Sequence, residues 1–550
     1  MSVSHSLDGP RNGGTARVAD RRAATQKALM IALMVLVALA PLPLGSNRPV
    51  FWAMGTLLLG GVGAIYFAHL ARTGAALRAA PRWLGTAGLL AAIYLAWIVL
   101  QSLPLGLTGE VTLPSGARVG DLDTISLTPD ASRLAAVRVA GYALIFVLML
   151  QISVNRGRAK NCVHLIVLMV TGWAAYALLA LLQLGDTILL FDKWAYFGSA
   201  TGPFVNRNSF ATFLAMGLIA GAGLMADRLT LPRAQDRAGP RGLLARLTDP
   251  ETMRVYLAGL ALLLVLATLI QTNSRMGVFA GILGTGLTVT LIAIRRGGLR
   301  LRSVLAIPAV LAAVGGGVAW IYGGLLFDRL GSLERDVDVR LSLYRQVAGM
   351  IAERPWTGWG ADGFHIAYQS FRTVPVSPEF VWERTHSTYL AHWVETGVLA
   401  GSIPIVLVGW AFLACLHAAL RREADIVLPA IGAGVILMGA VHSLVDFSLE
   451  MQANVWLFLA LVALALGGHV RAHAGGGDAV PQALGAGAAP PPPIADPVPA
   501  APPRIPDPIP EPPPPQPPAP RVPMPEPGAA PAPAKPARTR SRGRRPRRRP

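Results

Sequence analysis

Charge is scarce in this 550-residue sequence: 14% of the residues are charged and 53% are hydrophobic. A water-soluble domain typically carries about 25% charged residues. The deficit excludes a soluble globule, because that much apolar surface must face lipid. Cysteine is nearly absent. Cys162 and Cys415 both lie inside apolar runs, so neither a disulfide framework nor a zinc spacing can be built from them. Acidic residues number 30 against 49 Lys and Arg, a formal charge of +19. This excess is not a nucleic-acid footprint. Much of it sits in the last residues and in short loops between apolar runs, where basic side chains orient helices in a bilayer.

Apolar runs are what the chain has in abundance. They fall around 28–44, 50–70, 84–103, 134–154, 162–183, 208–226, 255–272, 276–294, 303–322, 398–420, 425–445 and 452–470. Each approaches the ~20 residues a helix needs to cross about 30 Å of hydrocarbon. Only helices satisfy their own backbone hydrogen bonds there, so the expected fold is an all-α polytopic membrane protein of about 12 transmembrane helices. Gly281, Gly284 and Gly286 in one span are expected to let helices approach closely. The basic N-terminus followed by Ala28 to Leu44 has the look of a signal peptide, but the many later spans favour an uncleaved first helix.

Lys and Arg concentrate in alternate connections: Arg72, Arg78 and Arg82; Arg156, Arg158 and Lys160; Arg228 through Arg254; Arg295 to Arg302; Arg421 and Arg422. The positive-inside rule predicts both termini in the cytoplasm. Three domains result: a basic cytoplasmic segment 1–27, a helical domain 28–470, and a tail 471–550 rich in Pro, Ala and finally Arg. The tail cannot bury a core and is expected to be disordered, with membrane lipids within reach of its basic end and no further partner implied. Segments 104–133, 184–207 and 323–397 fall on the far side. The last holds a helix-like stretch, Asp336 to Glu353, with Val339, Leu343, Val347 and Met350 on one face. The aromatic loop Trp356 to Phe364 follows it and suits a membrane interface.

Polar residues near membrane depth are costly and so informative. Asn206, Arg207 and Asn208 cluster where a loop enters a span, which suits an anion or, equally, a capping turn with one interfacial arginine. Arg275 lies in a very short hairpin with no acidic neighbour there, either snorkelling or offered to a phosphate. Arg340 and Tyr344 share a helical face at i and i+4, and Arg345 and Arg354 add charge to the same stretch. Thr385 or Ser387 can cap a helix running into the span from about 398. The helix dipole would then keep His386 neutral, as a general base must be. His392 and Glu395 lie deeper, as packing or supporting groups. His442 and Asp446 fall four apart on one expected helical face.

Five of these elements, in this order, resemble one family. Gly202-Pro-Phe-Val-Asn-Arg-Asn-Ser-Phe-Ala211, Asn273-Ser-Arg275, Arg340 with Arg354-Pro-Trp-Thr-Gly-Trp-Gly360, His386-Ser-Thr-Tyr-Leu390 and His442-Ser-Leu-Val-Asp-Phe447 are similar to the O-antigen ligase and polymerase superfamily. The likeness covers about 200 to 470; the Pro-rich, Arg-ended tail has no counterpart. It implies a GT-C-like fold in the bacterial inner membrane, acting at the periplasmic face on an undecaprenyl-pyrophosphate-linked glycan. The acceptor would be lipid A-core, a growing glycan or a protein. His386 matches the family's essential loop histidine. Arg275 and Arg340 match the arginines that hold the donor pyrophosphate, and Arg207 is a further match. No metal or other cofactor is implied, although Asp362 and Glu383 keep a divalent cation in play. The readings that compete are a repeat-unit polymerase and a transporter or flippase for lipid-linked saccharides. The transporter reading predicts internal repeats and mid-membrane helix breaks, neither of which is clear in the sequence.

Overall fold

The computed structural model describes residues 12–79, 82–106, 111–112, 118–119, 123–189, 191–230, 249–296, 330–376, 381–421 and 426–473. The chain divides into two units, Met1–Val480 and Pro481–Pro550, and the second lies outside the described residues. So do the expected span 303–322 and nearly all of the expected tail.

The helices, in chain order, are α1 (Asn12–Leu39), α2 (Pro49–Thr73), α3 (Arg82–Gln101), α4 (Pro129–Ser153), α5 (Arg156–Leu182), α6 (Arg207–Thr230) and α7 (Pro250–Gln271). They continue with α8 (Arg275–Arg296), α9 (Leu330–Glu353), α10 (Thr388–Thr396), α11 (Val398–Arg421), α12 (Val427–His442) and α13 (Gln452–His473). Eight of them (α1, α2, α4 to α8 and α11) are long and apolar enough to cross a membrane, while α3, α12 and α13 carry shorter apolar stretches. The protein is therefore a multi-pass helical membrane protein. Local chemistry sets the starts. Pro49, Pro129 and Pro250 occupy first-turn positions that have no N–H to lose, and Asn155 and Asp249 accept the backbone N–H groups of Arg158 and Thr252.

Two boundaries differ from expectation. The first span ends at Leu39 rather than near 44, because Pro41 and Pro43 cannot continue a helix and the chain turns through Gly45 at φ 71°. At the other end the helix already runs from Asn12, through most of the expected 1–27 segment. The helix expected to run from His386 into the span is two helices, α10 and α11, broken at Gly397 (φ 79°, ψ 162°). A Cβ there would lie 2.2 Å from the Trp356 carbonyl oxygen, so only glycine fits.

The core is built on α6, α8, α12 and α13. Small residues let three of these helices touch: Gly277 and Gly281 meet Ala211 and Ala215, and a Cβ on Gly284 would come within 2.5 Å of the Gly434 carbonyl oxygen. Thr288 closes that contact by donating to Ala430 O at 3.1 Å. A second core lies at the end of the bundle where α6 and α8 begin. Leu343, Val347 and Met350 of α9 pack there with Trp359, Phe364, Tyr368 and Val394. The face predicted from 3.6-residue spacing is thus the buried one. The 356–364 loop, in contrast, is only partly an interfacial surface. Trp356 is 65% exposed, but Trp359 is buried and its indole N–H donates to Met350 O. Arg354 belongs to this framework too, stacked 4.7 Å from the Trp359 ring and donating to Ile125 O.

Candidate active site

The loop before α6 forms the floor. Gly202 (φ 53°) lets the chain turn against Phe210, and Phe204 packs on Phe210 and Phe213. Asn206 caps α6: its Oδ1 accepts the backbone N–H groups of Asn208 at 2.7 Å and Ser209 at 3.4 Å, while its amide donates to Tyr196. The Arg207 guanidinium lies 5.5 Å from the Tyr196 ring centroid. Asn208 points the other way and donates to Asp446 Oδ2 at 2.7 Å. Asp446 is buried and also accepts from the Ser448 hydroxyl, so its carboxylate is held from two sides.

Above this floor is a cavity of about 470 Å³ whose lining includes Tyr196, Asn206, Trp382, Arg384, His386 and Phe447. His386 sits in the left-handed region at φ 57°, its ring edge-on between Trp382 (5.6 Å) and Phe447 (5.1 Å). Tyr344 of α9 donates to the His386 carbonyl oxygen at 2.8 Å, which ties the histidine backbone to the helix carrying Arg340. Among the described residues Nδ1 is buried without a hydrogen-bond partner. Burial drives the imidazole down to about 4; Asp446 opposes the shift and Arg340 adds to it. The ring is therefore neutral at pH 7, as expected, but from desolvation rather than from the dipole of the following helix. Ser387 and Thr385 do not cap α10: Ser387 Oγ donates to Ser443 O, and Thr385 Oγ1 to the Ser387 carbonyl.

The other expected residues are distributed around this centre. His442 is the last residue of α12 and hydrogen-bonds through Nδ1 to Thr212 at 2.7 Å, whereas Asp446 lies beyond the helix end. The two do not share a helical face, because α12 stops four residues earlier than their spacing supposed. Arg275 is exposed on the first turn of α8, beside the hairpin in which Asn273 binds Gly198 O and Ser199 Oγ. Arg345 is exposed on α9. Neither lines the cavity, and Arg340 reaches it through its charge on His386.

Glu395 belongs to a second cluster that sequence reasoning did not assemble. Arg384 Nη1 bridges Asp362 Oδ1 (3.1 Å) and Glu450 Oε2 (3.3 Å), and Arg138 Nη2 approaches the same Asp362 oxygen at 3.7 Å. Burial raises Glu395 to about 8, helped by the charges of Asp362 and Glu450, and raises Glu450 to about 7 against the pull of Arg384 and Arg138. Asp362 would also be raised by burial, but Arg138 and Arg384 hold it below the usual range. Arg138 had a usable signal, an arginine within an apolar span. Asp362, Arg384 and Glu450 are scattered over 89 positions, and nothing in their spacing announces contact.

A family model described as O-antigen ligase matches residues 260–405. No curated protein matches the chain. The matched segment carries Arg275, Arg340, Arg384 and His386, and the match supports the O-antigen ligase superfamily.

Proposed function

We propose that this protein is an inner-membrane glycosyltransferase, O-antigen ligase-like, that moves a glycan from undecaprenyl pyrophosphate to an acceptor hydroxyl at the periplasmic face. The observation that carries the reading is His386: a neutral imidazole at a cavity wall, anchored through its carbonyl to Tyr344 and flanked by Trp382 and Phe447. Among the described residues its Nε2 has no hydrogen-bond partner, so it is available as a proton acceptor. The acceptor oxygen attacks the anomeric carbon, its proton passes to Nε2, and the bond from that carbon to the pyrophosphate oxygen breaks. Undecaprenyl pyrophosphate leaves with the electron pair. One direct displacement inverts the anomeric centre. Pyrophosphate is already a good leaving group, and Arg340, with Arg275 reaching the donor from outside the cavity lining, supplies guanidinium charge for it, so the step requires no metal.

Charge asymmetry supports this side. Lys160, Asp227 and Arg296 form an ion-pair cluster at the end of the bundle opposite His386, where Arg156, Arg228 and Arg295 also lie. By the positive-inside rule this asymmetry favours that end, with both termini, in the cytoplasm and the His386 cavity in the periplasm.

The test is turnover by purified protein in lipid, with an undecaprenyl-pyrophosphate glycan, candidate acceptors and EDTA. Product is expected from wild type and should fall by about 10²-fold or more in His386→Ala, the span typical of a lost general base. It should also disappear in Arg275→Ala. Equal turnover in His386→Ala removes that residue as base. Donor binding with no product from any acceptor favours a transporter, and a growing glycan as the working acceptor makes the protein a polymerase.

A further inference from the structure

The cavity presents a guanidinium whose role the transfer chemistry leaves open. Arg384 lines the wall two residues before His386, and its side chain is 21% exposed. Among the described residues its hydrogen bonds run through Nη1, shared between Asp362 and Glu450. Among the described residues Nε and Nη2 have no protein partner and neither is buried. Because Nη1 is held by two carboxylates, and Arg138 holds Asp362 in turn, the guanidinium plane is fixed. Its unused edge offers two parallel N–H donors to the cavity.

Charge decides what suits that edge. The cationic Arg384 and Arg138 already face Asp362 and Glu450, so the local field is largely compensated. A phosphate would meet two nearby carboxylates as well as the guanidinium, and gains little. A pair of uncharged hydroxyls meets no such repulsion and can use both donors. The same cavity supplies flat apolar faces, from Trp382, Tyr196 and Phe447, against which a pyranose ring can lie.

We propose that Arg384 is a saccharide-binding residue whose Nε and Nη2 donate to neighbouring hydroxyl oxygens of a sugar seated against these aromatics, with Asp362 and Glu450 as its positioning residues. The proposal rests on the reading of the protein as a glycan transferase. The sugar is either the one attached to the donor pyrophosphate or the terminal sugar of the acceptor.

Equilibrium binding by the full-length protein in nanodiscs separates these cases, with three probes: undecaprenyl pyrophosphate, undecaprenyl-pyrophosphoryl-N-acetylglucosamine and a lipid-free core oligosaccharide. Arg384→Lys keeps the charge but loses the planar edge. It should weaken one of the two sugar-bearing probes by about ten-fold, the scale of one lost hydrogen-bonded contact, and leave undecaprenyl pyrophosphate within about two-fold. Which sugar-bearing probe is affected identifies the source of the ring. Glu450→Gln, nearly isosteric, should weaken the same probe by a smaller factor, which keeps the test open should Arg384→Lys fold poorly. Equal weakening of sugar-bearing and sugar-free lipid makes Arg384 a pyrophosphate ligand and overturns the proposal, as does no change with any probe. Those two outcomes leave the transferase reading standing. A wild-type protein that binds none of the probes overturns both.

Discussion

The Asn208–Asp446 hydrogen bond ties the first turn of α6 to the chain after α12 and sits beside the candidate base, so its removal should be felt twice. The contact is 2.7 Å, its acceptor is a buried carboxylate, and the Ser448 hydroxyl satisfies only the other oxygen. A hydrogen bond to a charged group contributes about 1.5–3 kcal/mol, and an orphaned buried charge costs more than that mean. Asn208→Ala should therefore destabilise by about 2–3 kcal/mol. In a double-mutant cycle with Asp446→Ala, the two losses should fall short of additivity by about 1.5–3 kcal/mol, since each removes the same bond. The assay is chemical unfolding in mild detergent, followed by a probe that reports loss of tertiary structure. Asp446 also acts on His386 through space, supporting its protonated form against burial. Without that carboxylate the imidazole falls further below about 4, so the acid limb of kcat/KM should move to lower pH in the single variant Asp446→Asn. Additivity within about 0.5 kcal/mol would refute the energetic argument. An acid limb that moved to higher pH would refute the electrostatic one.

Other consequences can be checked independently. With His386 held near 4, the wild-type enzyme should keep its kcat/KM from neutral pH down to about 5 and lose it below, as the imidazole takes up a proton. Glu395 has its folded pKa raised to about 8, so the folded state binds more protons than the unfolded one between the ordinary glutamate range and pH 8. Its contribution is therefore fully present at low pH and lost as pH rises through that window; Glu395→Gln should flatten the corresponding decline in melting temperature between pH 5 and 9. Gly434→Ala would put a methyl group 2.0 Å from Thr288 Oγ1 and 2.5 Å from the Gly284 carbonyl oxygen. Since the second of these is backbone, α8 and α12 must separate, and a loss of about 1–3 kcal/mol should appear in the same unfolding assay.

Much of the architecture is legible in one dimension. The apolar runs located α2 to α8 and α11 to α13 to within a few residues, because crossing a bilayer sets both length and composition. Leu343, Val347 and Met350 were readable as one buried face because a helix imposes its own period. His386 could be singled out because motif resemblance preserves order along the chain. What the sequence could not express is which distant groups share a dielectric environment. The neutrality of His386 follows from burial between Trp382 and Phe447, supplied by the chain before it and the segment after α12. The break at Gly397, the short reach of α12 past His442, and the assembly of Arg138, Asp362, Arg384, Glu395 and Glu450 are likewise set by packing. Local propensity and periodicity act over a turn or two of chain. Desolvation and ion pairing act through space, and only the tertiary structure decides who the neighbours are.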